Sequence, residues 1–406
     1  MGMMRFFRDN VRWLTAGVLL TFLSSFGQTF FISIFAGEIR EAFALSHGEW
    51  GGIYTLGTGA SAVVMVWAGG LTDRFRVRAL GWVVLAMLSL SCLIMATVHT
   101  AFLLPAVIFL LRFTGQGMTS HIAVVAMSRW FIATRGRALS IATLGFSIGE
   151  AILPLGFVAL MVFVDWRILW VGAAVVALAG IPMLLMLLRH ERTPASHAAS
   201  DQSLGMENRH WTRNQAMRHR LFWMMVPALL GPPAFGTAFF FHQVYYAELK
   251  GWSHVQLVAL FPIYTSVALV AMILSGLALD RWGTSRLLPM ILLPQAAAFV
   301  VFSIAVQPTD ALFGLILFGI GTGAMATLPN AFWAEYYGTR HLGSIKAMAA
   351  AVMVLGSAIG PGITGFLIDL GVGLETQYLF VSVYFVIATL FLLVGIRGHM
   401  GALPVK

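Results

Sequence analysis

The chain has 406 residues, of which 59% are hydrophobic and only 10% charged, and its mean hydropathy is +0.87. A soluble domain carries about a quarter charged residues, so the composition excludes an ordinary soluble protein. The formal net charge of +9 would suit a nucleic-acid binder, but the basic residues are dispersed among short loops, which is typical of membrane topology. The single cysteine, Cys92, excludes an internal disulfide.

Long apolar runs follow one another along the whole chain, each long enough to cross the hydrocarbon core as a helix of about 20 residues. The first run follows three arginines and continues without a cleavage site, so we interpret it as an uncleaved span rather than a signal peptide. Twelve spans are predicted, at 13–36, 50–72, 79–98, 102–131, 138–164, 167–188, 221–247, 254–279, 286–306, 310–336, 343–369 and 376–396.

The lysines and arginines predict the orientation of these spans. With the N-terminus in the cytoplasm, the outer loops hold only Arg40, Arg167 and Lys250, and nearly all the other basic residues are cytoplasmic. We therefore expect a multi-pass protein of the plasma membrane, of the bacterial inner-membrane type, with both termini cytoplasmic. A polar cytoplasmic linker at 189–220 separates an N-terminal six-helix bundle at 1–188 from a C-terminal six-helix bundle at 221–406.

The two halves repeat each other. A loop with an Asp-Arg pair, a Phe-Gly segment and a helix rich in small residues occur in both halves, after or within corresponding spans. The matching segments are 69–78 and 276–286, 26–33 and 235–242, and 144–149 and 355–361. Parallel repeats of this kind in transporters place a substrate site at their interface, near the middle of the membrane.

The repeated loop resembles the motif of the major facilitator superfamily, and the resemblance covers essentially the whole chain. The matching residues are Gly69, Leu71, Asp73, Arg74 and Arg78 in the first copy, and Gly276, Asp280, Arg281, Gly283 and Arg286 in the second. Arg76 stands where the family usually has glycine. The resemblance implies an all-α membrane protein with twelve transmembrane helices in two pseudo-symmetric six-helix bundles. Segments 26–35 and 112–117 look like the monocarboxylate and oxalate–formate porter branch.

The resemblance also implies roles for the repeated residues. In the family, contacts of the loop motif latch one conformation, so we expect a conformational gate that comprises Asp73, Arg74, Arg78, Asp280, Arg281 and Arg286; static topology determinants are the alternative. Spans five and eleven meet the opposite half in the family, which implies inter-bundle packing at Gly145, Gly149, Gly356, Gly360 and Pro361. Glu150 stands where antiporters carry a proline, which argues against a drug antiporter.

Polar residues inside the predicted spans lie mainly in spans one, four, seven and ten, which line the cavity in this superfamily. They predict a substrate site that comprises Arg112, Gln28, Gln116, His242, Gln243, Asn330 and Tyr264. Arginine binds a carboxylate bidentately, and Glu150 and His242 are candidates for proton coupling. We hypothesise that Arg112 and Glu150 form a switchable ion pair; a permanent structural pair is the alternative.

The sequence therefore predicts a secondary active transporter and not an enzyme, working by alternating access and coupling protons to a small organic anion such as a monocarboxylate. Because the sequence has no phosphate-binding loop and no metal-ligand cluster, we expect no cofactor and no metal. The dispersed basic residues argue against a nucleic-acid partner. We expect a monomer in a lipid bilayer. Two alternatives stay open: a proton-coupled antiporter that exports drugs or lipophilic solutes, and a transport-inactive membrane receptor or assembly factor.

Overall fold

The structure, a computed structural model, describes residues 3–131, 135–190, 204–338 and 340–403. These residues form helices, and none of them belongs to a β-strand. In the described ranges, eleven helices are long and apolar enough to cross a membrane, and the bent pair Arg8–Gly27 and Thr29–Phe43 makes a twelfth span when its two parts are counted together. The predicted all-α membrane fold is thus confirmed.

The first compact unit, Met1–Ala199, contains spans one to six. Span one consists of Met3–Leu23, the 3-10 turn Ser24–Gly27, Thr29–Ile32, the 3-10 turn Ser33–Phe35 and Ala36–Phe43. Spans two and three are His47–Ala68, with the short helix Leu71–Arg74 behind it, and Val77–Thr97. Span four consists of the 3-10 turn Ala101–Leu103, Leu104–Leu111, the π-helix Arg112–Thr119 and Ser120–Trp130; spans five and six are Arg135–Met161 and Trp166–Leu187.

The second unit, Ser200–Lys406, contains spans seven to twelve. Span seven is Arg220–Phe241 with Gln243–Leu249, and span eight is His254–Val258 with Phe261–Trp282. Span nine consists of Thr284–Leu287, the 3-10 turn Leu288–Met290 and Leu293–Ile304. Spans ten, eleven and twelve are Pro308–Tyr337, Leu342–Asp369 and Leu374–His399, and the 3-10 turn Met400–Ala402 follows.

The second part of the predicted linker packs on the second unit. It forms the 3-10 turn Met206–Asn208 and the helix Arg213–Arg218, which begins with a capping box between Thr212 and Gln215. The backbone N–H of Trp211 donates to the carbonyl of Tyr337 at 3.1 Å. Residues 191–203 of the linker lie outside the described residues. The predicted bundle boundaries at 188 and 221 stay predictions.

The helices of the two units pair in the same way. Span one packs on span five, span two on span four, and span three on span six in the first unit. Span seven packs on span eleven, span eight on span ten, and span nine on span twelve in the second unit. The internal repeat in the sequence is therefore a repeat of helix pairing.

Glycines allow the first of these pairs to form. A Cβ atom at Gly145 would lie 2.0 Å from the carbonyl oxygen of Val18, and one at Gly149 would lie 2.1 Å from Ser25 Oγ. The matching distances in the second unit are 2.5 Å from Gly356 to the Leu230 carbonyl oxygen and 2.1 Å from Gly360 to the Ala234 carbonyl oxygen. These four glycines are thus required inside their own units. Their predicted role between the bundles stays a prediction.

The three basic residues assigned to the outer loops are held by backbone carbonyls. Arg40 donates to Leu45, Arg167 to Val98 at 2.6 Å, and Lys250 to Ser303 at 3.0 Å. Lys250 also forms an ion pair with Glu375. Arg167 and Lys250 therefore join segments that lie far apart in the chain, whereas the bond of Arg40 is local.

Candidate substrate site around Arg112

Span one is interrupted at Gln28. The 3-10 turn Ser24–Gly27 ends there, Gln28 adopts an extended conformation (φ −85°, ψ 154°), and a new helix begins at Thr29. A break inside a span removes regular helical partners from nearby backbone groups, so these groups need partners from another helix. Gln28 itself is only 8% exposed.

The π-helix of span four packs directly against this break. A Cβ atom at Gly27 would lie 2.1 Å from the carbonyl oxygen of Leu111, and one at Gly115 would lie 2.6 Å from the Cα atom of Gly27. Only two glycines allow the two backbones to approach this closely. π-Helical turns within α-helices are frequent at functional sites, and Arg112 begins this one.

The side chain of Arg112 is 1% exposed and contacts neutral groups. Its Nη1 donates to the carbonyl oxygen of Gly27 at 3.1 Å and to Thr29 Oγ1 at 3.2 Å. Its guanidinium lies over the Tyr54 ring, 5.4 Å from the centroid, and the Tyr54 hydroxyl is 2.5 Å from Thr29 Oγ1. Arg112 Nε is buried and has no hydrogen-bond partner among the described residues. The guanidinium therefore retains donor capacity.

The contacts described for Arg112 are those with Gly27, Thr29 and Tyr54, and all three partners are neutral groups. The hypothesised ion pair with Glu150 stays a prediction. Glu150 is half-buried in span five, directly after the glycine that packs on Ser25.

Three of the predicted substrate ligands lie together in the first unit. Gln28 is at the break, Arg112 bonds to the residue before it, and the half-buried Gln116 belongs to the π-helix that packs there. Sequence reasoning missed Thr29 and Tyr54, which complete the surroundings of Arg112. A signal for the close packing was present, because Gly27 belongs to the repeated Phe-Gly segment and Gly115 follows Arg112 by less than one turn.

The other predicted ligands lie in the second unit. His242 is 3% exposed, and its Nε2 is 3.1 Å from the carbonyl oxygen of Pro361. Gln243 is fully buried beside it. Tyr264 stacks on Phe318 with ring centroids 5.6 Å apart. Asn330 is exposed and bonds to a carbonyl of its own helix. The substrate-binding role of these four residues stays a prediction.

The loop motif of the first unit is anchored by span four. Arg129 Nη1 donates to the carbonyl oxygen of Thr72 at 2.6 Å, and His121 Nε2 is 3.3 Å from the carbonyl oxygen of Gly69. Arg74 and Arg78 are exposed. Sequence reasoning missed the anchoring role of span four, because the partners are backbone atoms far apart in the chain.

The loop motif of the second unit contacts span ten through Ser285, whose Oγ lies 2.9 Å from the Tyr336 hydroxyl oxygen. Arg281 lies 5.8 Å from the centroid of the Trp282 ring, and Arg286 is exposed. The side chains of Asp73 and Asp280 lie outside the described part of the structure. The gate therefore stays a prediction for both copies. Within the described ranges, no group of three or more His, Cys, Asp or Glu residues could hold a metal ion.

Comparisons with known proteins agree with this architecture. Residues 17–350 match the family model of the Major Facilitator Superfamily, whereas no curated protein matches the chain. A bacterial homologue of the human lysosomal transporter Spinster, in its inward-facing occupied conformation, is 16% identical with a TM-score of 0.76, covering 98% of this chain and 99% of the homologue.

Two further solved structures share the fold. The nucleoside transporter NupG is 14% identical with a TM-score of 0.71, over 97% of this chain and 99% of NupG. The human organic anion transporter MFSD10 is 13% identical with a TM-score of 0.63, over 94% and 99%. At these identities the likeness shows the fold alone. The family match extends over most of the chain, so this protein belongs to the major facilitator superfamily and is a multi-pass membrane transporter, not an enzyme.

Proposed function

We propose that this transporter moves a small organic anion, such as a monocarboxylate, by alternating access coupled to protons. The observation that carries the proposal is a buried guanidinium, that of Arg112, with neutral hydrogen-bond partners and an unused Nε donor. The likeness of segments 26–35 and 112–117 to the monocarboxylate and oxalate–formate porters supports the same substrate class.

Electrostatics favours an anion beside Arg112. A charged side chain inside a bilayer is costly unless an opposite charge or several hydrogen bonds compensate it. The described contacts of Arg112 supply two neutral acceptors and one aromatic face. A substrate carboxylate would add the missing negative charge and accept two parallel N–H bonds from the planar guanidinium.

The hydrogen-bond partners of Arg112 are groups that a bound anion could replace. One is a carbonyl at a break in span one, and the other is the Thr29 hydroxyl, which also contacts Tyr54. Discontinuous helices in transporters offer such backbone groups at substrate and ion sites. We propose that the anion replaces one or both contacts, and that the amides of Gln28 and Gln116 orient it.

Glu150 is the proposed proton carrier, and His242 is the second candidate. A carboxyl group inside a span is costly in its charged form, so its protonation can be linked to the passage of another charge. In this proposal a protonated Glu150 leaves Arg112 free to bind the substrate carboxylate, which links the proton to the anion. The Nε2 contact of His242 with Pro361 supports a structural role at least as well.

Uptake by proteoliposomes tests the substrate class. We expect wild-type protein to accumulate one of a panel of labelled carboxylates when a pH gradient is applied. Because Arg112→Gln removes the cation, we expect it to lower uptake by at least ~100-fold, the cost of losing a buried charge-assisted pair. Arg112→Lys, which keeps the charge, should retain part of the activity. The control is Arg213→Gln, at an exposed arginine of the second unit.

The proton role has its own test. Glu150→Gln should abolish the stimulation by a pH gradient while leaving exchange of the anion across the membrane. Gradient-driven uptake by Glu150→Gln at wild-type rates would contradict the role of Glu150. Full uptake by Arg112→Gln, or transport of lipophilic cations with no carboxylate transported, would contradict the anion proposal and favour an efflux antiporter.

A further inference from the structure

A large cavity lies in the first unit beside the loop motif. Its volume is about 960 Å³, and it is bounded by the loop after span two and by the adjacent ends of spans three, four and six. These ends are on the side that the basic residues assign to the cytoplasm. The basic residues that line the cavity are Arg74, Arg76, Arg78, Arg129, Arg189 and His190.

The charge of this cavity is strongly positive. None of its described lining residues is acidic, and Asp73, whose side chain is not described, could offset only one of the five arginines. In the described part of the chain, Arg76 and Arg189 are exposed and belong to no ion pair. Guanidinium groups that converge without carboxylates indicate a site for an anion with several oxygens, such as a phosphate group.

Aromatic side chains line the same cavity. Trp82 is 45% exposed and Phe75 is 54% exposed, and Trp130 lies buried beside them. Tryptophan is enriched at the level of lipid head groups, where one end of its environment is apolar and the other is wet. A free phosphate ion makes no apolar contacts with these aromatic side chains. A phospholipid presents a phosphate and a hydrocarbon chain together and can contact both the arginines and the aromatic rings.

A cavity beside the loop of the second unit is also lined by a tryptophan, Trp282, but it is less basic. The cavity there has a volume of about 580 Å³, and its described lining includes a single basic residue, Arg286. Gly283 stands in the second loop where the first has Arg76. Arg76 therefore adds to the cavity of the first unit a cation that the second copy of the loop lacks.

We propose that this cavity binds an anionic phospholipid of the cytoplasmic leaflet, with the phosphate among the arginines and an acyl chain along Trp82 and Phe75. Basic pockets between the cytoplasmic ends of membrane helices bind anionic lipid head groups. Since the loop of span two forms one wall, a bound lipid would hold that loop in place. The site is separate from the surroundings of Arg112, so it does not depend on the proposed substrate.

Native mass spectrometry of delipidated protein tests this proposal. We expect phosphatidylglycerol to bind at least tenfold more tightly than phosphatidylcholine of the same chain length. The variant Arg76→Gln with Arg189→Gln should weaken phosphatidylglycerol binding about 25-fold, since each surface arginine contributes about fivefold in affinity for an anionic lipid. The matched control, Arg213→Gln with Arg218→Gln, removes two exposed arginines of the second unit and should leave the affinity unchanged.

Two further measurements make the result decisive. Arg76→Lys with Arg189→Lys keeps the charge and should retain most of the binding, which separates a folding defect from a lost site. Inorganic phosphate at millimolar concentration should not displace the lipid or quench Trp82. Displacement by phosphate would assign the cavity to a soluble phosphate compound, and equal binding of both lipids, or equal losses in the two double variants, would also overturn the proposal.

Discussion

Two corresponding glycines show how the halves of this protein differ. Gly27 in span one packs against the backbone of span four, where a Cβ atom would lie 2.1 Å from the carbonyl oxygen of Leu111. Gly236 in span seven packs against a side chain of span ten, where a Cβ atom would lie 3.0 Å from the Phe318 ring. The first contact holds a broken helix, a π-helix and a buried arginine together, whereas the second holds two continuous helices.

The two units share one arrangement of helices but differ in the groups that are buried between them. Near Gly27, the buried groups are a guanidinium, hydroxyls and backbone carbonyls. Near Gly236, they are aromatic rings: Phe239 stacks on Phe302 with centroids 4.4 Å apart, and Tyr264 stacks on Phe318. Although the pairing of helices is the same in both units, the candidate anion site lies in the first unit, where span one is broken and Arg112 is buried.

The largest effect is expected from alanine at these glycines. Gly27→Ala places a methyl group inside the backbone of span four, which cannot move aside, so we expect a loss of about 3 kcal/mol or more in stability. Gly236→Ala meets a ring that can rotate, and we expect a loss of about 1 kcal/mol. Thermal unfolding of the two variants in detergent measures this difference. Equal losses would remove the contrast between the two units.

Glycines that the two halves use in the same way provide the next comparison. Gly145→Ala and Gly356→Ala each force a methyl group against a backbone carbonyl, as Gly27→Ala does, so both should also cost about 3 kcal/mol. A Cβ atom at Gly156 would have no neighbouring atom within 4 Å. Alanine there should therefore be neutral or stabilise span five by up to about 1 kcal/mol. If only one of Gly145→Ala and Gly356→Ala lowered the stability, the corresponding helix pairs of the two units would not contribute equally to the free energy of unfolding.

A smaller effect is expected for one hydroxyl. Thr29→Val keeps the shape of the side chain and removes one of the two acceptors of Arg112, a charge-assisted hydrogen bond of about 1.5 kcal/mol. Because the proposed anion replaces this contact, the half-saturating anion concentration should fall about tenfold. Thr237→Val in span seven removes a hydroxyl that bonds to Ser357 at 3.1 Å, and the same transport measurement should show no change. If the half-saturating anion concentration changed equally in Thr29→Val and Thr237→Val, the anion site could not be assigned to the first unit.

The smallest effect concerns the N-terminal ends of spans one and seven. Phe6 packs on Phe131 in the first unit, and His219 packs on Tyr337 in the second. Burial, together with the neighbouring His399, lowers the pKa of His219 below its ordinary value of 6.5. The unfolded chain therefore takes up this proton first as the pH falls, so the stabilising contribution is complete above pH 6.5 and declines below it.

His219→Phe, which copies the aromatic contact of the first unit, tests this assignment. We expect the variant to lose less thermal stability than wild type between pH 7.5 and pH 5.5. An unchanged pH dependence in His219→Phe would exclude His219 as the titrating group. Phe6→Leu, in the first unit, serves as a control that removes an aromatic ring without removing a titratable group.

Much of the membrane architecture could be predicted because it depends on local properties of the chain. The length of the apolar runs, the distribution of basic residues and the repeated loop predicted twelve spans in two repeats, and Arg112 was recognisable as a cation inside a span. The contacts of Arg112 could not be predicted in the same way. Its acceptor on Gly27 is 85 positions away in the chain, and a helix rotation of a few tens of degrees would give it a different partner.

By itself, the sequence determined that this chain is a membrane transporter of a known family, because hydropathy, charge and motif are read along the chain. The tertiary structure alone decided that span one breaks at Gln28, that Gly27 and Gly115 let two backbones touch, and that Arg112 bonds to Gly27 and Thr29. The physical reason is that a buried polar group takes whichever partner the packing brings within about 3 Å, and packing joins residues that the sequence keeps apart.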